Sequence, residues 1–362
     1  MSEVARREFA KAGVAAAAAA MSGEAMAKPL PPLTPGIKIS MQVGENVTPE
    51  DLAWIKQMGV DYLNVQTGKD RGTLSNFLDI KKRVEASGLK LWNISNSDNR
   101  NIEEVTLNLP GRDAKIEWLK QYIRDTGKAG IGYITYAHMA NGIWSSPRES
   151  TRGGASARAF NMKTAQGVWN GKTYANPLSH GRKYSKEELW DNYTYFIKQI
   201  APVAEESGVR IGIHPDDPPV PELGGIPRHI FGTFDGYMKA LEIANSPAIG
   251  VCLCCGTWME GGKSTGKDVY GAVREFARIG KLWKIHFRNV TAPIPYFVET
   301  YIDDGYTDMY KLMKTLVEVD FRGNLIADHV PEMSGGRNNG WSYSMGYIRA
   351  LYKAAQAELK KG

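Results

Sequence analysis

The chain predicts an α/β protein built as a closed (β/α)8 barrel, and three observations carry that expectation. Short apolar runs alternate with amphipathic segments from residue 37 onward, and eight such pairs can be counted. Several helical segments close on glycine just before the next apolar run, the mark of a helix C-cap. The Gly-rich phosphate loop that would follow the first strand of an open doubly wound sheet is missing, since Gln42-Val43-Gly44-Glu45 has no such spacing.

The predicted strands are Ile37 to Met41, Tyr62 to Val65, Leu91 to Ile94, Tyr133 to Tyr136, Arg210 to His214, Ile249 to Cys254, Trp283 to His286 and Asn324 to Asp328. Between the fourth and fifth, Ser185 to Ser207 places Leu189, Tyr193, Phe196, Ile197 and Ile200 at helical spacing. The closing glycines stand in Met58-Gly59-Val60, Ser87-Gly88-Leu89 and Ser207-Gly208-Val209. The stretch from Asn141 to Tyr184, rich in Gly, Ser, Asn and Arg, follows strand four, where a barrel carries active-site loops. A chain of 362 residues suits one barrel with long loops, and the catalytic domain is expected over residues 28–362.

Residues 1–27 read differently. Ala5-Arg6-Arg7-Glu8-Phe9-Ala10-Lys11 precedes an alanine-rich run from Ala12 to Met21, and Ala25-Met26-Ala27 offers small residues to a signal peptidase. This order predicts a twin-arginine export signal cleaved after Ala27 and a periplasmic mature protein. No other stretch reaches the ~18 uncharged apolar residues that a membrane span requires. Hydrophobic content of 43%, 23% charged residues and a net charge of +6 with both signs interspersed argue against a nucleic-acid or membrane-surface partner. A small-molecule substrate is expected, and self-association is left open.

Barrel chemistry sits at the C-terminal ends of the strands. Strands five to eight end in His214, Cys254, His286 and Asp328, a nitrogen, sulfur and oxygen set that suits Mn, Fe, Co or Zn. A lone histidine at a strand end is more often a hydrogen-bonded structural residue, but four such residues on consecutive strands favour a shared cation. Cys252 reads as a core residue, Cys254 as the inward ligand and Cys255, on the other face, as the fallback. All three cysteines lie within four residues on one strand, where disulfide geometry is hard to reach.

At His214-Pro215-Asp216-Asp217-Pro218-Pro219, followed by Gly225-Ile226-Pro227-Arg228, the chain resembles the mannonate dehydratases. The likeness continues through Gly250 to Gly256, His286-Phe287-Arg288-Asn289-Val290, Phe297-Val298-Glu299, Asp308-Met309-Tyr310 and Asp328-His329. Cys255, Val330 and the segment from Ala137 to Gly142 depart from the family pattern. The resemblance implies a xylose isomerase-like TIM barrel, Mn2+ or Fe2+ at His214, Cys254, His286 and Asp328, His329 as a catalytic acid/base and Tyr343 as a catalytic tyrosine. It implies dehydration of a sugar acid, D-mannonate above all. A metal-dependent sugar isomerase or epimerase and a periplasmic sugar-binding protein are the alternatives.

Arg288 suits a bidentate clamp on the substrate carboxylate, or a pairing with Asp216 or Asp217. Those aspartates read either as partners orienting His214 or as a turn before Pro218. His138, Arg152, Arg228 and Asn289 complete the candidates for contact with substrate or with the ligand residues.

Overall fold

Eight parallel strands form the barrel wall in the computed structural model, which describes residues 30–360. They are β1 (Lys38–Gly44), β2 (Tyr62–Thr67), β3 (Lys90–Asn96), β4 (Tyr133–Ala137), β5 (Arg210–His214), β6 (Ile249–Cys254), β7 (Leu282–His286) and β8 (Asn324–Ile326). Their order is β3-β2-β1-β8-β7-β6-β5-β4, so each strand lies beside its sequence neighbour, and β3 packs against β4 to complete the ring. The predicted export signal at residues 1–27 lies outside the described residues.

The helices form for reasons legible in the chain. Ser185 caps the helix Lys186–Glu206 in a reciprocal box with Glu188, while Leu189, Tyr193, Phe196, Ile197 and Ile200 turn their stripe into the core. That helix ends at Ser207, and Gly208 takes the positive φ of 66° that reverses the chain into β5. Among the described residues, no helix is long and apolar enough to cross a membrane.

Two local differences from expectation bear on the site. β8 stops at Ile326, not at Asp328, and Asp328 adopts φ 65°, a left-handed conformation that a short polar side chain tolerates. The stretch from Asn141 to Tyr184 is no bare loop either. It contributes strands Ile143–Ser150, Ser156–Asn161, Gln166–Trp169 and Lys172–Tyr174 to a six-stranded antiparallel sheet completed by Tyr296–Thr300 and Asn289–Val290, from the segment after β7. The turn from Trp169 to Lys172 is tight because Asn170 and Gly171 both have positive φ, 47° and 79°.

Candidate active site

His214, Cys254 and His286 are the last residues of β5, β6 and β7, and Asp328 follows β8 by two residues. One donor atom from each lies within 4.8 Å of the others. The rings of His214 and His286 are 4.9 Å apart at 49°. Nδ1 of His214 is 2.7 Å from the Pro215 carbonyl, to which it donates, leaving Nε2 as the acceptor. Burial first, and the neighbouring His286 second, hold His214 at a pKa of about 3, so it stays neutral as a ligand must.

His286 is nearly sealed from solvent. Its Nε2 meets Cys252 Sγ at 3.4 Å, while Nδ1 lies 3.3 Å from Oδ2 of Asp328 without hydrogen-bond geometry and is a buried nitrogen lacking a partner. Cys254 Sγ accepts the Thr257 backbone N–H at 3.4 Å and stands 3.9 Å from Asp328 Oδ2. Cys255 points elsewhere, toward the Leu253 carbonyl, and burial pushes its thiol pKa well up. All three thiols are free. Donors around one cation at roughly 2.0–2.5 Å stand at most about 5 Å apart, so this set, with an orphaned imidazole nitrogen among its members, fits a divalent ion.

Beside these residues lies a buried ion-pair network. Arg288, 1% exposed, donates to Glu260 at 2.7 Å, Thr257 Oγ1 at 3.0 Å, Asp217 at 3.2 Å and Asp328 at 3.3 Å, and lies 3.2 Å from Glu299. The close approach explains Gly256, where a Cβ would run into the Arg288 side chain. Arg158, from the strand Ser156–Asn161, reaches Asp217 at 2.6 Å, Glu299 at 3.1 Å and Glu260 at 3.3 Å. Burial and the Asp217 charge push Glu260 up to about 7.

His329 stands at the edge of this network. Its Nδ1 is 2.9 Å from Glu299 Oε1, which fixes the ring and leaves Nε2, 3.9 Å from Asp328 Oδ2. Burial opposes charge on His329, but Asp328 and Glu299 raise its pKa above the ordinary value. Burial would raise Glu299, yet His329 and Arg288 hold it down at about 2.

His214, His286, Asp328, Asp217 and His329 open onto a cavity of about 210 Å³. Much of its remaining wall comes from the other half of the barrel: Gln42, Gln66, Asn93 and Ser95 near the ends of β1 to β3, Thr135 and Ala137 on β4, Arg100 and Asn101 beyond β3, and Trp169 from the antiparallel sheet. Lys284, two residues before His286 on the same face of β7, lies deeper and meets Thr135 Oγ1 at 3.2 Å.

Several expected contacts fall elsewhere. Arg288 is no free clamp, because carboxylates and Thr257 already occupy its guanidinium. His214 is oriented by the Pro215 carbonyl and not by Asp216 or Asp217: Asp217 pairs with the two arginines, and buried Asp216 is pushed up to about 6 by burial. His138 is a core histidine, stacked on Phe196 with Nδ1 2.8 Å from the Tyr136 hydroxyl. Arg228 is consumed by the carbonyls of Asp217 and Gly142, Asn141 Oδ1 and the Met139 sulfur. Asn289 donates to the Ile302 and Thr307 carbonyls. The Tyr343 hydroxyl sits 3.3 Å from Arg152, which pairs with Asp303, and Tyr343 is not in the cavity wall.

Sequence reasoning missed Glu299, Glu260, Arg158, Lys284 and Arg100. Glu299 was within sight, in Phe297-Val298-Glu299, where the apolar neighbours mark a strand whose one charged residue is buried.

The barrel and its rim define a class first. A xylose isomerase domain protein from Planctomyces limnophilus superposes with a TM-score of 0.59 at 12% identity over 89% of this chain and 99% of its own, a likeness of fold. The chain is thus a xylose isomerase-like barrel. The family model for D-mannonate dehydratase (UxuA) matches residues 41–361, and the chain belongs to that family. A mannonate dehydratase of Streptococcus suis strain 05ZYH33 is 32% identical over 298 residues, 77% of this chain and 79% of the relative. One from Geobacillus thermodenitrificans is 30% identical over 284 residues, 71% and 75% of the two chains. The crystal structure of mannonate dehydratase from S. suis serotype 2 superposes with a TM-score of 0.77 at 29% identity, covering 90% of this chain and 95% of that one.

Proposed function

We propose that this protein is a metal-dependent hydro-lyase that converts D-mannonate to 2-dehydro-3-deoxy-D-gluconate and water. The observation that carries the reading is the convergence of His214, Cys254, His286 and Asp328 within 4.8 Å beside His329, in a chain of this family. Mn2+ or Fe2+ is the cation we assign to the four donors; when bound, it supplies a Lewis acid that offsets negative charge developing on substrate oxygens.

The reaction removes the C2 proton and expels the C3 hydroxyl, which leaves as water once protonated; the resulting enol becomes the 2-keto acid. His329 is the group we assign to proton transfer at Nε2, because Glu299 engages Nδ1 and keeps the ring aimed. Arg158 and Arg288 hold Glu299 in turn, and these three, none of them in the cavity wall, position the imidazole from behind.

The test is a panel of aldonic acids offered to the Mn2+-loaded protein, with 2-keto-3-deoxy product measured. D-mannonate should be converted, and His329→Asn should lower kcat by about 10²- to 10⁴-fold with metal content unchanged. Interconversion of aldoses and ketoses, with no sugar acid consumed, would replace this reading with an isomerase or epimerase.

Residues 1–27 we take to be a twin-arginine signal, leaving residues 28–362 as one catalytic domain in the periplasm, on the support of Arg6-Arg7 and the alanine-rich run that follows. Replacing both arginines by lysine should retain the precursor in the cytoplasm on cell fractionation; continued export would remove the assignment.

A further inference from the structure

We infer that Arg100 and the indole N–H of Trp169, backed by Lys284, receive the carboxylate of the substrate and so distinguish sugar acids from neutral sugars. The inference rests on the sugar-acid reading above and assigns one end of the substrate to a place.

The argument begins with a contrast among the arginines. Arg288, Arg158 and Arg228 have their guanidinium groups engaged by carboxylates or carbonyls inside the protein. Arg100 forms no ion pair within 4.0 Å among the described residues. Its Nη2 donates to the Gln66 side chain at 3.3 Å, and its Nε is a buried donor without a partner among the described residues. Trp169 faces it, with the guanidinium 5.3 Å from the ring centroid, and the Trp169 Nε1 is likewise buried and without a partner. Two unmatched donors beside one cavity are costly to keep unless something accepts from them.

Lys284 is the second basic side chain on this cavity. It is 1% exposed, its one hydrogen-bond partner is the neutral Thr135 hydroxyl, and it too forms no ion pair among the described residues. Arg100 and Lys284 line the same cavity, and neither has a carboxylate within 4.0 Å among the described residues, so an acid entering it meets two basic side chains that lack a counter-ion. A carboxylate matches the guanidinium edge bidentately and still has lone pairs for an indole N–H.

The arrangement is built. The hairpin tip after Trp169 is anchored by Asn170, which donates to the Ser97 carbonyl at 3.3 Å, and by Lys172, which pairs with Glu103. The segment after β4 is thereby clasped to the segment after β3, and Trp169 is held against Arg100. Arg100, Asn101 and Trp169 also line an outer cleft, so the acid end of a substrate lies toward that side.

The test compares an acid with a neutral polyol on the full-length Mn2+-loaded protein. Calorimetry with 2-dehydro-3-deoxy-D-gluconate and with D-mannitol measures binding without net turnover, and kinetics give KM and kcat for D-mannonate. Arg100→Gln should weaken the acid by about 30- to 100-fold and raise KM for D-mannonate in step, with D-mannitol binding and metal content unchanged. Trp169→Phe, which keeps the ring and removes the N–H, should weaken the acid by roughly 3- to 10-fold. If Arg100→Gln does not fold, Trp169→Phe decides alone. Wild-type turnover of D-mannonate together with an intact acid preference in the variants overturns the inference and leaves the function standing. Arg100-dependent acid binding without turnover of any sugar acid overturns the function and leaves the subsite.

Discussion

The rim formed by β5 to β8 and the rim formed by β1 to β4 face one cavity with different chemistry. The first brings His214, Cys254, His286 and Asp328 together and surrounds them with arginines and carboxylates that are paired to one another. The second carries amides, two hydroxyls and one unpaired arginine, and the buried atoms Asn93 Oδ1, Arg100 Nε, Asn101 Oδ1 and Trp169 Nε1 all lack partners among the described residues. Charges paired to one another hold their groups in one geometry, as proton transfer requires, although Glu260 Oε2 and His286 Nδ1 on this side also lack partners among the described residues. Unsatisfied donors and acceptors at a cavity wall are what a polyhydroxy acid can complete. On the reading proposed above, the second half of the barrel performs the reaction and the first half, joined by Lys284 from β7, reads the substrate.

The division breaks most visibly at the donor cluster. Cys254→Ala should abolish bound metal and reduce turnover of D-mannonate by more than about 10³-fold, because three remaining donors hold the ion weakly and place it poorly. Metal analysis beside kinetics checks this. Full metal occupancy in the variant would mean that the cation sits elsewhere, and the catalytic half would have to be redrawn.

The two arginines sharpen the comparison in the currency of stability. Arg288→Met strips the counter-charge from Glu260, Asp217 and Glu299 in a dry site and should cost about 3–5 kcal/mol in urea unfolding, since a buried charge without its partner is expensive. Arg100→Gln removes a cation that pairs with no carboxylate among the described residues and should leave unfolding within about 1 kcal/mol of wild type. Equal losses in the two variants would show that Arg100 serves the fold as Arg288 does.

How legible each half was follows from where its signal lies. His214, Cys254 and His286 close their strands, so strand register alone carried them to the rim. Asp328 reaches the rim beside the other three on a local structure the strand reading did not give: its position comes from a left-handed turn after β8, which no periodicity announces. Glu299 and Arg158 meet across 141 residues because two segments from different barrel loops pair as antiparallel strands, and the sequence has no local mark for that pairing. In the first half β1 to β4 end in Gly44, Thr67, Asn96 and Ala137, which advertise nothing, so Arg100 gained meaning from Trp169 facing it. Buried His138 and Arg228 misled for the converse reason, being polar residues near the rim whose neighbours satisfy structural needs.

His138 offers the smallest and cleanest test, because it is an imidazole of the first half with none of the ionic company of His180, His286 or His329. It packs against Phe196, Tyr193 and Phe231, its Nε2 has no partner, and burial lowers its pKa to about 3. With the folded value below the unfolded 6.5, the unfolded chain binds the extra proton first as pH falls. Stability is therefore complete above pH 6.5 and declines between 6.5 and 3, by about 1.4 kcal/mol per pH unit for this one group. His138→Gln removes that proton uptake. The variant should gain about 2 kcal/mol relative to wild type between pH 7 and pH 5 in urea unfolding, whatever offset its altered packing gives at pH 7. Parallel pH profiles for the two proteins would mean that His138 takes up a proton in the folded state as readily as in the unfolded one, and the first half of the rim would then hold a charge that its aromatic packing is arranged to exclude.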